Sequence, residues 1–103
     1  MNAIKRKSKV KELLRERDYD NLQKWAKNMR NPQRTLLSLA YDTDELIRWR
    51  AIEAIGKVAQ IQAESDIEKV RDLIRRLLWL MNDESGGLGW HSPEIIGEIL
   101  VNV

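Results

Sequence analysis

The sequence predicts an all-α fold, a short right-handed α-solenoid of about three helical hairpins, six helices in all. Three observations predict it. Breakers are few, with two prolines and five glycines in 103 residues, and Gly86, Gly87 and Gly89 share one stretch, so long runs are free for helix. Apolar residues recur at steps of three and four rather than alternating. The chain also repeats itself at an offset of 41 residues.

Residues 3 to 17 form the first predicted helix, with Ile4, Val10, Leu13 and Leu14 inward, and Asp18 or Asp20 caps a second carrying Leu22, Trp25, Ala26 and Met29. Asn31-Pro32 ends it, and Pro32 starts a third helix through Leu36, Leu37, Leu39 and Ala40. The polar corner Tyr41-Asp42-Thr43-Asp44 reads as a turn. From Asp44 the fourth helix puts Ile47, Ala51, Ala54, Ile55 and Val58 on one face and approaches five turns. Ser65 and Glu68 have capping-box spacing ahead of a fifth helix that carries Val70, Leu73, Ile74, Leu77, Leu78 and Leu80. Ser92-Pro93-Glu94 opens the sixth with a cap, a first-turn proline and an acid at the positive helix end.

At the 41-residue offset, Leu36-Leu37-Ser38-Leu39 falls on Leu77-Leu78-Trp79-Leu80, Asp42 on Asp83, Trp49 on Trp90, Glu53 on Glu94, and Ile55-Gly56 on Ile96-Gly97. A two-helix period near 40 is the spacing of HEAT or armadillo arrays, whose units stack because none buries its apolar face alone. The expected organisation is one domain, 1–103, with a divergent N-terminal hairpin (1–31), a repeat over 32–62 and another over 65–103. A compact bundle is the alternative topology.

The segment from Leu36 to Gly56 resembles the HEAT-like consensus also seen in phycobilisome-lyase-type repeats. In that family the leucines build the first helix, an Asp near the turn caps the second, and an apolar-Arg pair, here Ile47-Arg48, precedes an Ala-rich core face. The resemblance is strong over residues 34–59, partial over 75–100 and weak over the first 31. It implies a solenoid with a binding or scaffolding role, in a family of many functions. The second repeat departs from the pattern where Ser85-Gly86-Gly87-Leu88-Gly89 replaces Asp44-Glu45-Leu46-Ile47-Arg48.

Composition narrows the chemistry. Without cysteine there is no disulfide, thiolate metal site or cysteine nucleophile. No run of eighteen apolar residues and no signal-type N-terminus is present, so a cytoplasmic protein without membrane contact is expected. The net charge of +2 divides unevenly, since residues 1 to 17 hold seven Lys/Arg against two Glu.

Trp49, Glu53 and Gly56 share one helical stripe, and Trp90, Glu94 and Gly97 reproduce it one repeat later. Trp49, Arg50, Glu53, Trp90 and Glu94 are therefore the expected partner-binding residues of a non-catalytic protein- or peptide-binding scaffold. The bland alternative has Gly56 and Gly97 permitting close helix packing while the Trp residues fill the seam between repeats. Gly86, Gly87, Gly89, His91 and Ser92 precede a helix N-terminus and define a weak anion loop, although the P-loop ending is missing. Asp83, Glu84 and His91 lack the spacing of a metal site, and His91 has no assignable nucleophile, so neither metal, cofactor nor catalysis is expected. Lys5, Arg6, Lys7, Lys9 and Lys11 offer a rival nucleic-acid reading, with no aromatic residue among them. If the last repeat leaves Ile96, Ile99 and Leu100 uncovered, the chain self-associates into a homo-oligomer.

Overall fold

In a computed structural model, residues 3–81 and 92–103 are described, with side chains over 5–79 and 93–103. They form six helices, α1 (Ala3–Glu16), α2 (Tyr19–Lys27), α3 (Pro32–Leu39), α4 (Glu45–Ser65), α5 (Ile67–Met81) and α6 (Ser92–Asn102). No strand occurs among the described residues. None of these helices is long and apolar enough to cross a membrane.

Local chemistry sets each boundary. The α1 end is a Schellman turn, in which the Asp18 amide donates to Leu13 O and the Arg17 amide to Leu14 O, with Arg17 at φ 54°. Asp18 then caps α2 by accepting the Asn21 amide at 3.2 Å. Asp44 caps α4 by accepting the Leu46 amide at 3.0 Å, as its position before the apolar stripe predicts. Arg48 reaches back to Asp42 O at 3.2 Å and Thr43 O at 3.4 Å, pinning the turn it follows.

One boundary corrects the sequence reading. Ser65 is the last residue of α4, and its hydroxyl donates to Gln62 O at 3.2 Å, so the expected capping box does not form. Asp66 caps α5 instead, accepting the Glu68 amide at 3.1 Å. Helix α4 is thereby 21 residues long, roughly 31 Å at 1.5 Å per residue, and exceeds the five turns expected.

That length makes α4 the axis of the molecule. It packs against all five other helices, while α1 also meets α2 and α5 also meets α6. Its buried residues form two stripes, Ile47, Ala51, Ala54, Ile55 and Val58 on one side and Ile52, Gly56 and Ala59 on another. The first is the stripe legible in sequence. The second seats α6. A helix met on several sides needs more than one apolar stripe, and Ala and Gly let its neighbours come close.

Burial follows the 41-residue offset at some positions and not at others, since Ile52, Gly56 and Ala59 are buried while Pro93, Gly97 and Leu100 are exposed. Leu36 and Leu77, Ala54 and Ile95, and Val58 and Ile99 are buried pair by pair. Ile99 thus lies in the core, contrary to the expectation that it is left uncovered, whereas Leu100 is 64% exposed. Leu78, on α5, is 47% exposed.

Candidate functional site

The α4–α6 contact is built on Gly56. A methyl group there would stand 2.7 Å from Glu98 O and 2.8 Å from Asn102 Nδ2, so only glycine admits the α6 backbone at this approach. Gly97, its repeat counterpart, has open space around its Cα. Close packing thus explains Gly56 and not Gly97.

Beside this contact lies an apolar groove of about 500 Å³, lined by Trp49, Ile52, Gly97 and Val101 and edged by the carboxylates of Glu53, Glu94 and Glu98. It joins Trp49 and Glu53 of the first stripe to Glu94 and Gly97 of its repeat. Trp49 is 44% exposed, so its ring is a wall of the groove rather than core filler. Missing Cβ atoms at Gly97 leave the depression that a larger residue would fill.

The carboxylates differ in state. Glu53 Oε2 accepts Arg17 Nη2 at 2.7 Å. Glu94 and Glu98 have no ion pair among the described residues. Tyr19, whose hydroxyl donates to Arg50 O at 3.4 Å, has its phenol pushed up to about 12, first by burial and then by the negative charge of Glu53.

Arg50 is tied into the fold. Its Nη1 donates to Leu14 O at 3.1 Å and Arg15 O at 3.5 Å, placing a cation on the last carbonyls of α1, where the helix dipole favours it. It is absent from the groove lining. Trp90, with Gly86, Gly87, Gly89 and His91, lies outside the described residues, as does the side chain of Ser92. No group of three or more His, Cys, Asp or Glu suited to a metal occurs among the described residues.

The sequence reading did not find Ile52, Glu98 or Val101. Ile52 meets Glu98 and Val101 only through the α4–α6 packing, although Glu98 and Val101 follow Glu94 and Gly97 at four-residue steps and share their helical face.

Comparison with known proteins adds a relative. Over 64 residues the chain is 36% identical to an uncharacterized protein of Archaeoglobus fulgidus, which takes in 62% of this chain and 32% of that protein. The chain therefore spans about a third of the length of that relative. No family model matches the sequence. No solved structure matches it either.

Proposed function

We propose that this chain is a non-catalytic binding module of stacked HEAT-like hairpins that holds a peptide segment in the α4–α6 groove. The occupant is a segment with an apolar side chain flanked by Lys or Arg. One observation carries this reading, the meeting of Trp49, Ile52, Gly97 and Val101 in an apolar slot edged by three carboxylates, of which Glu94 and Glu98 are without ion pairs among the described residues. An apolar anchor gains from leaving water in the slot, and opposite charge at the rim fixes orientation and speeds encounter. The stacked-hairpin reading draws support from α2, α4 and α6 packing in sequence order and from the shared burial of Leu36 and Leu77, Ala54 and Ile95, and Val58 and Ile99.

Peptide display selection on the purified chain tests it. The expected consensus pairs one large apolar residue with basic neighbours, and binding falls about tenfold or more when Gly97→Leu fills the slot or when Glu94→Lys and Glu98→Lys reverse the rim, the loss of an anchor of about 1.4 kcal/mol or more. No enriched peptide, or binding indifferent to both variants, rejects the groove. A second copy of the chain as occupant would appear as a dimer that Gly97→Leu dissociates, and would replace the peptide.

A further inference from the structure

The two walls of the α4–α6 groove carry unequal charge. On the α6 wall, Glu94 and Glu98 stand without an ion pair among the described residues. On the α4 wall, the Oε2 of Glu53 is already taken by Arg17 Nη2 at 2.7 Å. A cation entering the groove therefore finds the α6 carboxylates open, whereas on α4 it must displace a guanidinium to make the same charge-assisted contact.

Arg17 itself occupies a disfavoured position. It follows the end of α1 with φ 54°, the left-handed region where glycine is the default and a side chain is opposed by its own Cβ. No other non-glycine residue among the described ones has a positive φ. From that turn its side chain reaches a residue 36 positions further on. The Arg17 side chain stays 60% exposed and that of Glu53 30%. An ion pair so open to water adds little to stability, so its consequence falls on the groove more than on the fold.

We infer that Arg17 is a specificity-determining residue of this groove, holding Glu53 so that recognition of a ligand's cation is left to Glu94 and Glu98. The inference rests on the peptide-binding reading above and narrows its occupant. A basic residue lying over α6 gains a carboxylate contact, and one lying over α4 gains none. Two effects act together at the α4 wall. The Arg17 charge offsets the attraction of Glu53, and the oxygen that an incoming cation needs is occupied. The preferred partner is thus a segment with an apolar anchor and modest positive charge, rather than a polybasic tract.

The test is titration of the ¹⁵N-labelled full chain with short Ser/Gly peptides built on one central Phe, flanked either by Lys or by Gln, and read at the Gly97 and Val101 amides. Arg17→Gly, which suits the backbone at φ 54°, is expected to tighten the Lys peptide about threefold and to leave the Gln peptide unchanged. Arg17→Lys keeps the behaviour of the unchanged chain. Glu53→Gln should cost the Lys peptide about threefold more in the Arg17→Gly chain than in the unchanged one, because only there does Glu53 touch the ligand. No tightening by Arg17→Gly, or the same Glu53→Gln effect in both backgrounds, overturns the inference and leaves the groove standing. A shifted urea midpoint with the Lys-over-Gln preference unmoved makes Arg17 a structural tie and overturns it equally. If neither peptide gives saturable shifts, or Gly97→Leu does not abolish them, the groove reading itself fails and takes this inference with it.

Discussion

The two glycines of the repeated stripe are identical in sequence position and opposite in physical role. Gly56 is a packing residue, because a Cβ there would press on the Glu98 carbonyl and the Asn102 amide, itself held by donating to Glu98 O at 2.8 Å. Gly56→Ala is expected to cost about 1–3 kcal/mol, as overpacking does, seen as a lower urea midpoint. Gly97 meets nothing within 4 Å. Gly97→Ala should stabilise the chain by up to about 1 kcal/mol through helix propensity. If Gly97→Ala destabilises as much as Gly56→Ala, the described α4–α6 approach is wrong. Sequence could flag both residues as repeat-periodic. It could not say which one touches a backbone, because that depends on where α6 crosses α4.

At the scale of elements, the informative case is the junction between α4 and α5. Ser65 and Glu68 have the spacing of a reciprocal cap, yet Asp66 takes the cap and Ser65 stays helical. Both residues are good N-caps, and the choice sets the length of α4. Gln62, in the last turn of α4, meets Gln33 at the cavity beside α3. Asp66→Ala is expected to cost about 1 kcal/mol, the usual value of an N-cap, and Ser65→Ala only a few tenths. Urea unfolding of the two variants checks this, and the reverse order would restore the capping box. The Arg30-Asn31-Pro32-Gln33-Arg34 run is a local signal for the cavity, a helix start between two arginines. Lys69 and Arg76 arrive from α5, more than thirty residues on, and no local pattern announces them.

Across the whole molecule, polar ties join separate hairpins. Lys11 of α1 reaches Asp42 of the α3–α4 turn at 3.0 Å, while Asp42 Oδ1 also accepts the Asp44 amide at 2.9 Å. The Asp44 amide first, and then Lys11, hold the Asp42 carboxyl below its ordinary value. The Asn21 side chain, followed by its amide, does the same for Asp18. Groups with folded values below the unfolded ones stabilise above the unfolded pKa, near pH 4, and lose that contribution as pH falls through the folded value. Urea midpoints measured from pH 7 to pH 3 should therefore drop most steeply below about pH 4, and Asp42→Asn should flatten the drop. An identical acid profile for Asp42→Asn would show that the tie contributes nothing. The sequence offered Lys11 only as one of five basic residues of the first helix, since its partner is thirty-one positions away.

By itself the sequence determined the helical class, the helix order, the Asp44 cap, and which apolar residues recur at core spacing, while it left the α2 cap open between Asp18 and Asp20. These follow from local backbone chemistry and from a period of 3.6, which any stretch carries in its own residues. Tertiary structure alone decided the second buried stripe of α4, the contrasting fates of Gly56 and Gly97, the use of Arg50 on α1 carbonyls, and the assembly of the α4–α6 groove and of the cavity beside α3. Each depends on distances between residues far apart in the chain, and those are set by how helices cross, which no single helix encodes.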